Sequence, residues 1–203
     1  MQIYVVRHSQ TQANKSRIIQ GQLDTPLTPE GFEQTLRTAA WLGEKNIARI
    51  FASPLGRTVQ TARMIADAAR IPYDEITLLD GLMEIDLKPW ENQKMSALDQ
   101  SEALSSYSTY KNTPLAFSAA YGENFADLQE RVLRAFEQIV ASCAEDDVIV
   151  VVSHSVAIRT LLLAVQGRDF GAIWEYAVPS SSITEMAYDG GRFEIVRIGF
   201  RPG

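Results

Sequence analysis

The run Asp146-Asp147-Val148-Ile149-Val150-Val151-Val152-Ser153-His154 constrains the fold of this chain more than any other segment. Its uninterrupted β-branched centre leaves no polar face, so it reads as a strand buried on both sides. Such strands belong to mostly parallel sheets covered by helices. Ile3 to Val6 repeats the pattern and ends on Arg7 and His8. Ala48 to Ala52 and Ile76 to Leu79 are further short strand candidates. The first runs into Ser53-Pro54, and the second into a loop that carries Glu84 and ends near Trp90.

Helical patterns alternate with these strands. Thr28-Pro29-Glu30 offers an N-cap followed by proline at the first helical position, opening a helix over roughly 29–45. Leu36, Ala39, Ala40 and Leu42 are its expected apolar face and Gly43 its stop. A helix over about 55–70 carries Arg57 in its first turn and turns Val59, Ala62, Ile65, Ala66 and Ala69 to the sheet. Asn124 to Ala144 holds a strong apolar stripe of Phe125, Leu128, Val132, Leu133, Phe136, Ile139 and Val140, and a last helix spans about 156–166. Residues 181–188 and 192–198 alternate like strands around Asp189-Gly190-Gly191, a hairpin signal. The alternation predicts a three-layer α/β/α domain with a mostly parallel central sheet, formed by residues 1–203 as one unit. The Ser/Ala/Tyr-rich segment of about 94–123, broken by Pro114, is expected to be a helical insertion serving as a lid.

Ligands of such sheets bind beyond the carboxyl ends of the strands. Arg7, His8, Arg57, Glu84 and His154 all follow predicted strands, which groups them despite their separation in sequence. The chain has only two histidines, and each sits at such an end. A structural histidine is the competing reading for either one, and an ion pair the competing reading for Arg7. Arginine after a buried strand is costly unless it meets an anion or a carboxylate, and its planar donors suit phosphate.

Arg7-His8-Ser9-Gln10-Thr11-Gln12-Ala13-Asn14 resembles the RHGxTxxN signature of the histidine phosphatase superfamily, also called phosphoglycerate mutase-like. Further matches follow in family order: Gln20-Gly21 with Asp24, Pro26-Leu27-Thr28, Gly31, Ser53-Pro54-Leu55 with Arg57, Gln60-Thr61-Ala62, Glu84 with Trp90-Glu91, Gly122-Glu123, and Val152-Ser153-His154. The resemblance implies a phosphoglycerate mutase-like fold and His8 as a nucleophile that becomes phosphorylated. Arg7, Arg57 and His154 would surround the transferring phosphoryl oxygens. Asn14, Gln20, Gly21 and Ser155 would complete the phosphate site. Glu84 would be the general acid and then the base, helped to hold its proton by the dianionic phosphate. An acceptor on the second nitrogen of His8 should fix its tautomer. Ser9, Gln10, Asn92 and Ser155 depart from the residues usual at those positions, three of them replacing glycine, and each could crowd the phosphate or bond to it.

The implied reaction needs neither metal nor cofactor, and two arginine-bearing motifs would oppose a cation. No Walker loop, GxGxxG, GxSxG or clustered Cys/His spacing competes. The short stretch between Glu84 and His154 favours a phosphatase open to water over a phosphoglycerate mutase that retains a bisphosphate. A weakly catalytic phosphate-binding or regulatory module is the third reading. The segment of about 94–123 should choose the substrate, a small phosphorylated metabolite. Tyr107, Tyr110, Phe117 and Tyr121 are expected to pack there, or to line a pocket, and Lys88, Lys94 and Lys111 to be solvated or to meet a second anionic group.

Lys and Arg total 19 against 25 Asp and Glu, a net charge of −6 that disfavours nucleic acid and anionic membranes as partners. The single Cys143, the absence of a basic or apolar leader before MQIYVVRH, and apolar runs well short of the ~20 residues of a bilayer span point to the cytoplasm. The oligomeric state is left open.

Overall fold

A computed structural model describes residues 1–88, 90–98, 104–118 and 122–203. Its strands are β1 (Gln2–Arg7), β2 (Arg49–Ala52), β3 (Thr77–Leu78), β4 (Val148–Ser153), β5 (Ile183–Asp189) and β6 (Arg192–Phe200). Its helices are α1 (Gln12–Ser16), α2 (Pro29–Gly43), α3 (Gly56–Ala69), α4 (Met95–Leu98), α5 (Leu104–Asn112), α6 (Phe125–Ala141) and α7 (Ser155–Gln166), with short 3₁₀ turns between them. The six strands lie in the order β3-β2-β4-β1-β5-β6. β3, β2, β4 and β1 run parallel, while β5 and β6 join antiparallel as the hairpin expected around Asp189-Gly190-Gly191.

The parallel strands are apolar on both faces because each face meets its own helical layer. Ile3, Val5, Phe51, Ile149 and Val151 pack with Leu128, Val132, Phe136, Leu161 and Leu162 of α6 and α7. The alternate residues Tyr4, Val6, Ile50, Ala52, Val150 and Val152 pack with Ala39, Leu42, Ala62, Ile65 and Ala66 of α2 and α3. These layers give the expected α/β/α sandwich. Register then aligns the carboxyl ends of the strands. Arg7 lies opposite Ser153 and Ala52 opposite Val152, so β1, β2 and β4 deliver His8, Ser53 and His154 to one edge.

Two expectations need correction. The buried face of α2 is Thr35, Thr38, Ala39 and Leu42, while Ala40 is exposed and Leu36 is 44% exposed. The threonine hydroxyls bond to Gly31 O and Ser181 O, which lets polar residues occupy the inner face. The third strand shrinks to Thr77–Leu78, at the sheet edge and partly exposed. Among the described residues of the insertion, α4, α5 and a 3₁₀ turn at Pro114–Ala116 are helical as expected. Tyr121 lies outside the described residues.

Candidate active site

Beyond the strand ends lies a cavity of about 130 Å³ lined by Arg7, His8, Asn14, Ile18, Ile19, Gln20, Gly21, Arg57, Glu84, Leu87, Met95, Tyr107 and Tyr110. Of the residues grouped from sequence, Arg7, His8, Arg57 and Glu84 therefore meet in one space. His154 is beside them, its ring centroid 5.2 Å from that of His8.

His8 follows β1 and is fixed by its own loop: its backbone N–H donates to Ser153 O at 3.1 Å, and Nδ1 lies 2.8 Å from Ser9 O. A carbonyl only accepts, so Nδ1 carries the proton and Nε2 keeps its lone pair. Burial first, then Arg57 and Arg7, holds this ring well below the ordinary histidine value of 6.5, hence neutral. Burial followed by Arg57, His8 and Arg7 does the same to His154. His154 Nε2 lies 2.8 Å from Ser53 Oγ, which already accepts the Leu55 N–H. A hydroxyl accepts twice and donates once, so this contact suits either His154 tautomer.

Arg57 enters from the first turn of α3 and is 1% exposed. Nη1 donates to Leu23 O at 2.7 Å and Asp24 Oδ1 at 3.1 Å, and Nη2 to Gly21 O at 2.7 Å. Gly21 adopts φ +51° under Glu91, where a Cβ would come within 2.1 Å of Oε1. Arg7 donates to Val178 O at 2.7 Å. Burial, then neighbouring Arg159, lowers its guanidinium to about 10, so it stays cationic at neutral pH. Arg7 Nε, Arg57 Nε and His154 Nδ1 are buried with no hydrogen-bond partner among the described residues. Of these, the two guanidinium N–H groups belong to residues of the cavity wall and are donors that an anion's oxygens would satisfy.

The Glu84 carboxylate rests on the amino end of α7. Oε1 accepts from Ile85 N at 3.0 Å and from Val156 N and Ala157 N at 3.2 Å. Arg131 of α6, which the sequence reading missed, holds the same loop from outside. It donates to Gly81 O, Met83 O and Glu84 O and pairs with Glu123 at 2.6 Å. Asn14 lines the cavity and also closes a capping box with Thr11, so its two readings coexist. Gln20 Oε1 accepts from Thr25 Oγ1 at 3.0 Å.

The four departures have local explanations. Ser9 turns its hydroxyl away to Thr35 Oγ1 at 2.6 Å, and Gln10 Oε1 accepts from Thr28 Oγ1 at 2.8 Å. Asn92 adopts φ +64°, a left-handed conformation that asparagine tolerates. Ser155, expected at the phosphate, instead bonds back to Arg159 one turn along α7 and is not on the cavity wall. Arg159 was also missed; it donates to Tyr176 O at 3.1 Å and lies over the Trp174 ring. A signal for both missed arginines was slight, since each sits on a helix whose direction only packing determines. Among the described residues no group of His, Cys, Asp and Glu is placed to hold a metal ion, and no helix is long and apolar enough to cross a membrane.

A mostly parallel sheet that gathers a neutral histidine, the buried Arg57 and the part-buried Arg7 at its carboxyl edge defines the class, an α/β protein with a cationic cavity at the strand ends. More particularly, the chain belongs to the histidine phosphatase superfamily (branch 1), whose family model matches residues 3–201. It is 34% identical over 189 residues to a probable phosphoglycerate mutase GpmB of Enterobacter sp., covering 93% of this chain and 85% of the relative. A Proteus mirabilis protein of the same name is 32% identical over 188 residues, with the same coverage. Among solved structures, Bacillus stearothermophilus YhfR superposes with a TM-score of 0.91 at 29% identity, over 98% of this chain and 96% of that one. The alpha-ribazole phosphatase of Shigella flexneri gives 0.86 at 24% identity, over 99% and 97%, a likeness of fold.

Proposed function

We propose that this chain is a metal-independent phosphatase that hydrolyses a small phosphomonoester through a phosphohistidine on His8. The observation that carries the reading is the state of His8: neutral, with Nδ1 tied to Ser9 O, on the wall shared with Arg7, Arg57 and Glu84. Its Nε2 lone pair attacks phosphorus, and the bond from phosphorus to the ester oxygen breaks. Glu84 gives its proton to the departing alkoxide. The Glu84 carboxylate then takes a proton from water; the hydroxide attacks phosphorus, the P–N bond breaks and inorganic phosphate leaves. Arg7 and Arg57 stabilise the equatorial charge, and His154 donates from Nδ1 once it is protonated. As phosphate arrives, its charge favours the imidazolium form of His154.

The test is phosphate release from a panel of phosphomonoesters in excess chelator, with His8→Ala in parallel. Release by the wild type, an acid-labile phosphoenzyme, and loss of both in the variant are expected. Equal release by the two proteins removes His8 from the mechanism, and strict dependence on added metal sinks the metal-independent reading. The curated relatives named as probable phosphoglycerate mutases support a second reading, phosphoryl transfer between glycerate positions. That reading requires bisphosphate-stimulated exchange with little free phosphate.

A further inference from the structure

The cavity has a second half that the phosphate chemistry does not use. Away from the arginines its wall is Ile18, Ile19, Leu87, Met95, Tyr107 and Tyr110. The two tyrosines are packed from behind. Tyr110 lies 5.2 Å from Phe125, 5.1 Å from Trp174 and 5.3 Å from Phe117, and Tyr107 lies 5.4 Å from Trp90. They thus serve both packing and lining, and the rings they rest on hold the wall in shape. Burial pushes the Tyr110 phenol well above 10, so this wall carries no phenolate charge at neutral pH.

The cations that could read a second anionic group do not form this wall. Lys88 is 68% exposed and pairs with Asp86, Lys94 is exposed, and Lys111 is exposed and lies 5.5 Å over the Tyr107 ring. Arg159 is bound to Ser155 and to Tyr176 O, and none of these four lines the cavity. A carboxylate or ammonium pressed against isoleucine, leucine and methionine loses its hydration without a partner, whereas an apolar group gains by leaving water. The volume of about 130 Å³ is shared with the phosphoryl group, so the enclosed part left for the alcohol is small.

We propose that this half of the cavity selects phosphomonoesters whose leaving alcohol is compact, apolar and uncharged, and rejects esters carrying a second charge. The proposal rests on the phosphatase reading and adds the chemical class of the substrate. Benzyl phosphate, 3-phosphoglycerate and phosphoserine are suitable probes. All three are alkyl esters, so differences among them reflect recognition more than departure of an activated phenol. For the wild type, kcat/KM for benzyl phosphate should exceed that for each charged ester by about 100-fold, the scale on which an apolar pocket and an unpaired charge discriminate. Ile18→Lys, at a partly exposed position, should narrow the gap to 3-phosphoglycerate by about 10-fold. Equal or reversed preference in the wild type overturns the proposal and leaves the phosphatase reading intact. Titration of the His8→Ala protein with the same esters reads recognition without turnover. Tighter binding of benzyl phosphate there, with no release by the wild type, upholds the apolar site and sinks the hydrolytic reading. Tighter binding of 3-phosphoglycerate overturns the apolar site.

Discussion

The two halves of the cavity are built by different means. The half proposed to hold phosphate, the phosphate half, comes from residues at or just beyond strand ends, locked by backbone atoms: Ser9 O on His8, Gly21 O and Leu23 O on Arg57, and α7 N–H groups on Glu84. The other half draws Tyr107, Tyr110 and Met95 from the helical insertion; its two tyrosines rest on packed rings, with Trp174 Nε1 donating to Tyr110 O and Met95 N to Arg17 O. Main-chain bonds fix positions to fractions of an ångström, which phosphoryl transfer demands. Packed rings set only shape and polarity. On the proposed function, chemistry and choice of substrate are therefore separable, and substitutions should sort by which one they damage.

The sharpest break should come at Glu84. Glu84→Gln should slow benzyl phosphate by about 10³-fold while costing p-nitrophenyl phosphate only about 10-fold, because a good leaving group needs little proton donation. Arg131→Lys should shift the same ratio in the same direction by about 5-fold, since Arg131 touches Glu84 only through backbone carbonyls and acts by positioning. An equal loss on both esters in Arg131→Lys would mark a merely structural role. Arg57→Lys belongs wholly to the phosphate half. It should lower kcat/KM by about 10² for every ester, leaving their ratios unchanged, because a lysine cannot reproduce the fork that Gly21, Leu23 and Asp24 orient.

Acidity should act on the same half. His8 and His154 are both held well below 6.5 in the folded chain, chiefly by burial. Below about pH 6.5 the unfolded chain takes up a proton at each ring that the folded chain refuses. Stability present above that pH is therefore lost as pH falls, by up to about 1.4 kcal/mol per unit for each group. The melting temperature should drop between pH 7 and pH 5, and inorganic phosphate should restore part of it by favouring a protonated His154. A flat profile would mean that neither ring is held neutral.

Much of the phosphate half was legible in the sequence. Continuous β-branched runs are local patterns, and a parallel sheet aligns whatever follows them, so Arg7, His8, Arg57, Glu84 and His154 were grouped before any contact was known. The acceptor for His8 was not legible, because a backbone carbonyl has no side-chain signature. Leu36 and Ala40 misled because hydrophobicity was read as burial, whereas Thr35 and Thr38 were buried by bonds to distant carbonyls. Ser155 is off the cavity wall, and its hydroxyl accepts from Arg159 on the next turn of its own helix. The apolar half was least legible. Weak periodicity in the insertion could not separate packing from lining for Tyr107 and Tyr110, and they do both.

The smallest effect tests how firmly the phosphate half is braced. Thr35 Oγ1 donates to Gly31 O at 2.9 Å, so its contact with Ser9 must be accepted from the serine hydroxyl. This ties the residue whose carbonyl holds His8 to the first turns of α2. Gly31 permits the close approach, as a Cβ there would lie 2.1 Å from Gln10 O. Thr35→Val leaves the fully buried Ser9 hydroxyl without its acceptor and should cost about 1–3 kcal/mol in urea unfolding. In a Ser9→Gly background there is no hydroxyl to strand, so the same change should cost about 1 kcal/mol less. Turnover should fall about 3-fold in Thr35→Val, with KM nearly unmoved, and Thr35→Ser should recover it by restoring the hydroxyl. Additive costs within ~0.3 kcal/mol would mean that the two hydroxyls are not coupled, and that Ser9 O is held by the backbone of its loop alone.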